Sequence, residues 1–442
     1  MNLRRIYPLR GLPQQKQLWS WISYDVANQS FTLIVNTMLF SIFFGAVIVQ
    51  DDTKDDRLWS IAFGGSMLLA ALFSPLAGAA ADERSWKKAG LVVTGLTCAV
   101  FTCGLALLKP GQIWLAMLLY IPANFAFAIG ENFLASFLPT LARQGDIGRV
   151  SGFSWGLAYF AALLLLAATA GSMVAFGVKS EEQYRPFFLM AGLWFLAFTV
   201  PTILWLREPP LEPSVHAGKS LVAAGFVRLA ETFRHLGGFR DMAVLMAASF
   251  FFATGTNVVV SFASKLAAEY GFKQVQMVIF MAVITVSGII GTIVPMLFQD
   301  RWGHRRTSVL LAFVWIVAAG GFAGYAYLHE AHALKADGTA YPTWPLWVIG
   351  NMLGFGLGSL GSANRAFVGY LAPPEKSAEM FGIWGLMIKL AAVMTFPFAW
   401  LKDTTGSPQA LLLLAGFIAV GLILTLFIDE KRGHAAARDG VL

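Results

Sequence analysis

Twelve long apolar runs, each wide enough to cross a bilayer, leave this chain almost nothing with which to build a water-soluble core. They lie at about 24–49, 58–80, 90–108, 113–138, 150–176, 186–206, 242–264, 275–298, 308–328, 346–369, 381–400 and 409–428. In hydrocarbon each backbone N–H and C=O must be paired within the protein, so runs of this length fold as membrane-spanning helices. Charged residues fill only 13% of 442 positions, against about 25% in a soluble domain. That deficit excludes a soluble enzyme, a disordered chain and a nucleic-acid binder.

The net charge of +7 is an orientation signal. With the N-terminus inside, the inner segments hold 21 Lys and Arg and the outer segments hold 9. That bias places both termini in the cytoplasm, with the basic excess facing anionic lipid rather than nucleic acid. Residues 1–18 are polar and basic, and the first apolar run is too long for a signal-peptide core, so no cleavable leader is expected. Cys98 and Cys103 lie five apart on different faces of the third span, which suits neither a disulfide nor a metal site. By these boundaries no histidine falls within a span, so no buried histidine metal centre and no cofactor are expected.

The chain is a duplication. Gly78-Ala-Ala-Ala-Asp82-Glu83-Arg84-Ser85-Trp86-Lys87-Lys88 follows the second span, and Met296-Leu-Phe-Gln-Asp300-Arg301-Trp302-Gly303-His304-Arg305-Arg306 follows the eighth, 218 positions later. Arg149-Val-Ser-Gly152-Phe and Glu379-Met-Phe-Gly382-Ile open spans five and eleven, 230 positions apart. These repeats predict an all-α integral membrane protein of twelve transmembrane helices in two pseudo-symmetric six-helix bundles. The bundles are residues 1–206 and 242–442, the second with a short cytoplasmic tail, joined by a cytoplasmic linker over 207–241. Duplication of a helical membrane unit is the mark of secondary transporters. Within the linker, Val222, Phe226, Leu229, Phe233 and Leu236 recur at helical steps and predict an interfacial amphipathic helix, a tether or a regulatory element.

The loop pattern Gly-x-x-x-Asp-Arg-x-Gly-x-Arg-Arg resembles the hallmark of the major facilitator superfamily. The second copy matches apart from Met296, whereas the first has Glu83 and Ser85 where Arg and Gly are usual, so the first loop is expected to make the weaker charge contacts. Four more stretches look like the vacuole-effluxer-like family of that superfamily. They are Ser23-Tyr24-Asp25-Val26-Ala27-Asn28-Gln29-Ser30-Phe31, Phe137-Leu138-Pro139 through Arg149-Val150-Ser151-Gly152 to Tyr159, Ser249 through Asn257, and Glu379-Met380-Phe381-Gly382 through Lys389 with Asp403-Thr404-Thr405-Gly406-Ser407. The resemblance implies the major facilitator fold, alternating access, a cavity lined on its cytoplasmic side by spans four, five, ten and eleven, and gate loops carrying Asp82, Arg84, Lys87, Lys88, Asp300, Arg301, Arg305 and Arg306. Known members of the family include a fungal vacuolar amino-acid effluxer.

Four ionisable residues fall within apolar spans: Asp25, Glu131, Arg365 and Lys389. A charge near the bilayer centre costs about 2.5–3.5 kcal/mol or more, so each should face a partner or a water-filled cavity. Asp25 sits so near the inner boundary of span one that a helix-start carboxylate is its other reading. Glu131 belongs to one half, Arg365 and Lys389 to the other, which suits a gate, a solute site or a structural ion pair. Asn28, Asn36, Asn132, Asn257 and Asn364 carry amides that lipid would penalise, and Trp155, Tyr159 and Trp384 sit with Ser151 and Phe381 on stripes of spans five and eleven, as cavity wall or as packing. Gly350, Gly354 and Gly358 predict close packing of span ten, and Pro75, Pro122, Pro201, Pro295 and Pro397 predict kinks or breaks.

No phosphate-binding Gly-x-x-x-x-Gly-Lys-Ser/Thr is present, so an ion or solute gradient must drive movement. The expected function is secondary active transport of a small organic solute, amino acid or peptide-like, with protons as coupling ion, by a monomer in the plasma membrane of a bacterium. Export of amphipathic organic compounds and a transport-inactive sensor on the same scaffold are the competing readings.

Overall fold

The computed structural model describes residues 9–51, 55–209, 239–272, 274–333 and 341–438. The expected linker helix at Val222–Leu236 lies outside them. Among the described residues the long helices are α1 Gln15–Val49, α2 Asp55–Arg84, α3 Lys87–Leu105, α4 Ile113–Leu141, α5 Ile147–Ala175 and α6 Arg185–Trp205. They continue as α7 Arg240–Glu269, α8 Gln274–Met296, α9 His304–Ala333, α10 Trp344–Leu371, α11 Pro374–Lys402 and α12 Ser407–Leu426. A shorter α13, Glu430–Arg438, follows. Eleven of these helices are long and apolar enough to cross a membrane, and α8 contributes the shorter apolar stretch Ala282–Met296.

Three expectations change. Helix α1 begins at Gln15, not near residue 24. Its first turns are polar, which hides them from hydropathy, yet Leu18, Trp21 and Ile22 recur on one face and are buried. Asp25 is therefore ten residues inside a helix, about 15 Å from its start, and is not a helix-start carboxylate. Secondly, His304 opens α9 and His329 lies near its end, so two histidines do fall within a span. Thirdly, α2, α4 and α6 continue past Pro75, Pro122 and Pro201 without a break, whereas α8 ends at Met296, one residue after Pro295. Only α11 tightens into a 3₁₀ turn, at Ala392–Met394, just before Pro397. Pro397 has no N–H to give the Val393 carbonyl, so the regular ladder fails there.

The chain forms two compact units that differ from the expected halves by two segments. Unit 1 comprises residues 1–143, 157–234 and 373–386, and unit 2 comprises 144–156, 235–372 and 387–442. The start of α5 thus packs within unit 2, and the start of α11 within unit 1.

Missing side chains explain both placements. In unit 1 a Cβ at Gly78 would strike the Ala378 carbonyl, and one at Gly382 would meet the Ser74 carbonyl at 2.5 Å. In unit 2 a Cβ at Gly152 would lie 2.8 Å from the Thr292 carbonyl. Small residues at such notches let backbones approach where lipid supplies no hydrophobic drive. As expected, Gly350, Gly354 and Gly358 bring α10 onto α8, against Phe280, Ile284 and Gly288. Trp315 of α9 closes the centre of unit 2, its Nε1 donating to the Leu353 carbonyl at 3.1 Å.

Candidate functional site

Each unit carries one of the repeated charge loops, and each loop carboxylate receives the N-terminus of a helix remote in sequence. In unit 1 the Asp82 carboxylate pairs with Lys87 Nζ at 2.7 Å and accepts the Glu379 N–H of α11 at 2.7 Å. Lys87 also donates to Ser377 Oγ at 2.7 Å and to the Pro374 carbonyl at 3.2 Å, and both Asp82 and Lys87 are buried. In unit 2 Asp300 accepts the N–H groups of Gly148 and Arg149, at 2.7 and 2.8 Å, from the start of α5. A carboxylate at a helix N-terminus meets unsatisfied N–H groups and the positive end of the macrodipole.

The first loop is therefore not the weaker one. Lys87 does the pairing expected of the usual arginine. Ser85 adopts the left-handed turn, φ 49°, for which the second loop uses Gly303 at φ 103°. Of the other gate-loop residues, Arg84, Arg301 and Arg306 are exposed and Lys88 and Arg305 are half-buried.

Two further carboxylates complete the repeat, and the sequence reading missed both. Glu208, just after α6, accepts the Lys87 and Lys88 N–H groups at 2.8 and 2.6 Å. Glu430, just after α12, accepts those of His304 and Arg305 at 3.0 and 3.1 Å. Applying the duplication's offset to acids beyond spans six and twelve is the signal that would have found them. Burial raises the pKa of both Glu208 and Asp300 from its ordinary value, the accepted N–H groups pulling the other way.

Within unit 1 an amide ladder ties α1, α2 and α4. Asn36 Nδ2 donates to Asn124 Oδ1 at 3.0 Å, Tyr120 donates to Asn36 Oδ1 at 2.9 Å, and Asn124 Nδ2 donates to Ser66 Oγ at 2.7 Å. Asn132 Nδ2 donates to Ser74 Oγ at 2.8 Å. Unit 2 repeats the Ser66–Asn124 bond as Ser287 to Asn351.

Glu131 lies seven residues after Asn124, two turns along the same interior stripe of α4 and about 10 Å away. Its neighbours face inward: Gly130 abuts the Tyr24 hydroxyl, and Asn132 bonds Ser74. Glu131 itself is exposed. On α1, Tyr24 meets Gly130 and the Phe31 ring lies 5.1 Å from Phe127. Asn28 lies between them in sequence, one turn from each on the same face of α1. Its amide is buried, and among the described residues neither Nδ2 nor Oδ1 has a hydrogen-bond partner. Asp25 is buried on α1. Trp384, also in unit 1, is buried with Nε1 equally unsatisfied and its ring edge-on to Phe381 at 5.7 Å.

Unit 2 brings Trp155 and Arg365 together. Arg365 is 3% exposed, donates from Nε to Ser151 Oγ at 3.1 Å and from Nη2 to the Ser151 carbonyl at 3.2 Å, and lies over the Trp155 ring at 5.4 Å. Ser151 Oγ donates onward to the Ser362 carbonyl at 2.9 Å. Asn364 Nδ2 donates to Ser249 Oγ at 2.8 Å. Lys389 and Asn257 are half-buried in unit 2, whereas Tyr159, half-buried too, belongs to unit 1. Arg365 thus ties α10 to the start of α5, and of the four ionisable residues in apolar spans Glu131 is exposed, Lys389 half-buried, and Asp25 and Arg365 buried.

Comparison with known proteins gives these features a setting. Residues 58–438 match the family described as "Vacuole effluxer Atg22 like". A Bacillus subtilis protein named "Uncharacterized MFS-type transporter YxiO" is 23% identical over 94% of this chain and 95% of its own length. "Autophagy-related protein 22" of Botryotinia fuckeliana is 25% identical over 65% of this chain, which spans about half, 51%, of that longer relative. Among solved structures, the MFS proton:xylose symporter XylE superposes with a TM-score of 0.70 at 14% identity, covering 95% of this chain and 98% of that one. The repeated charge loops, the helix order and the match over most of the chain agree: this is a multi-pass membrane protein of the major facilitator superfamily, a transporter rather than an enzyme, and it belongs to the vacuole effluxer Atg22-like family.

Proposed function

We propose that the protein carries a small organic solute, amino acid or peptide-like, across a bacterial plasma membrane by alternating access coupled to protons. The observation that carries the proposal is Glu131, an exposed carboxylate within an apolar span, flanked by the inward-facing Gly130 and Asn132. Such a group can take up a proton from one side and be occluded with it. Around it, the unsatisfied amide of Asn28 offers both a donor and an acceptor to a solute. Unit 2 for its part carries the half-buried cation Lys389, and a chain with both signs of charge inside its apolar spans suits a zwitterionic solute. The Asp82 and Asp300 junctions act as latches, because each holds by charge-assisted bonds that can break and reform as whole helices. The carrier works as a monomer. A second reading, export of amphipathic organic compounds, is favoured by Trp384 alone, whose unpaired Nε1 and adjacent Phe381 suit an aromatic solute.

The test is transport by protein reconstituted in liposomes. Glu131→Gln is expected to abolish uphill accumulation driven by a pH gradient while leaving solute exchange measurable. Undiminished uphill accumulation would remove Glu131 from the proton pathway.

A further inference from the structure

Beside the second charge loop, wholly within unit 2, runs an open groove of about 980 Å³. Its walls are the Asp300–Gly303 turn, the start of α9, the end of α12 and the start of α13. Its rim carries Arg301, Arg305, Arg306 and Lys431.

The acids at this rim are already engaged. Asp300 accepts the Gly148 and Arg149 N–H groups, Glu430 those of His304 and Arg305, and Asp429 those of Lys431 and Arg432 at 3.1 Å each. Among the described residues none of the four rim cations forms an ion pair. Lys87, the nearest counterpart in unit 1, is instead buried against Asp82. The rim thus sets four cations against three carboxylates, and because those carboxylates are bound to backbone N–H groups rather than to the cations, the guanidinium and ammonium groups keep their donors for an outside anion.

Below the rim the groove turns apolar. Leu310, Phe313 and Leu426 line it and are 39%, 58% and 46% exposed. Phe313 is seven residues beyond Arg306, about 10 Å down the helix toward the hydrocarbon. A cleft cationic at the level of lipid headgroups and apolar beneath has the polarity of a glycerophospholipid. A free phosphate has no use for the lower half.

We propose that this groove binds an anionic phospholipid of the cytoplasmic leaflet, its phosphodiester held by Arg301, Arg305, Arg306 and Lys431 and an acyl chain laid along Leu310 and Phe313. Occupancy would tie lipid composition to the loop whose Asp300 holds α5.

Native mass spectrometry of delipidated, purified protein titrated with phosphatidylglycerol or with phosphatidylcholine of the same chains tests this. Phosphatidylglycerol is expected to bind the native protein at least about tenfold more tightly, and Arg305→Ala/Arg306→Ala to remove about that preference. Leu310→Trp, which fills the apolar half without altering charge, is expected to weaken binding of both lipids severalfold. Lys431→Glu, at an exposed position, should also reduce the preference, and it serves if the double arginine variant does not fold. Equal retention of the two lipids by the native protein, or a preference unchanged in these charge variants, overturns the proposal. Competition by millimolar glycerol phosphate as effective as that by the lipid would assign the rim to a soluble phosphate instead.

Discussion

At position 85 a serine does the work of a glycine. Its left-handed backbone costs an L-residue about 1 kcal/mol, part of which glycine returns through its freer unfolded chain. Ser85→Gly is thus expected to stabilise the protein by about 0.5 kcal/mol in denaturant unfolding. Asp82 and Asp300 should respond differently to loss of charge. Asp82→Asn strands the buried Lys87 ammonium and is expected to cost about 3–5 kcal/mol. The Asp300 carboxyl is already pushed above its ordinary pKa of 3.8 by burial. Such a group adds stability below 3.8 that is lost as pH rises through the raised folded value. Asp300→Asn should therefore cost little in melting temperature at neutral pH and flatten the melting profile on the acid side. The sequence announced both aspartates, because a charge between two apolar runs stands out. It did not announce Glu208 or Glu430, since one acid beside a helix end reads as solvated loop. It understated the first loop because backbone N–H groups, indifferent to side-chain identity, make half its bonds.

Among the helices, hydropathy reported existence far better than partnership. Every expected span is matched by a helix, and the largest boundary error, at α1, lies where Gln15, Lys16 and Gln17 precede the buried face. Which helix meets which was not legible, because glycine notches decide it. Gly358→Ala drives a Cβ into the Gly288 carbonyl and is expected to cost about 1–3 kcal/mol by loosening α10 from α8. At Gly320 in α9 nothing lies within 4 Å of the added carbon. Gly320→Ala should be neutral or stabilising by up to about 1 kcal/mol. Thermal unfolding of the two variants side by side separates packing from propensity.

For the molecule as a whole, the proposed transport is tested at the ionisable residue of each unit. Lys389→Ala is expected to weaken solute affinity at least about tenfold with little change in melting temperature, if Lys389 meets the solute. Combining it with Glu131→Gln tests coupling, since additive losses in the double variant mean independent roles. The sequence placed each of these charges along its helix but not around it, which is why it grouped Arg365 with Lys389 although Arg365 is bound to Ser151 and lies over Trp155. The exchange of segments between the units also carries a consequence for biogenesis. Ser151 leaves the ribosome 214 residues ahead of Arg365, an interval of roughly 10–40 s at about 5–20 residues per second. Until Thr292 and Asp300 follow, the start of α5 lacks every one of these partners, it lacks Arg365 for the whole interval, and the face of α2 that receives α11 stays open longer still. A chain arrested after its sixth helix would therefore expose two unfinished faces to membrane quality control, and only synthesis of the second half could shield them.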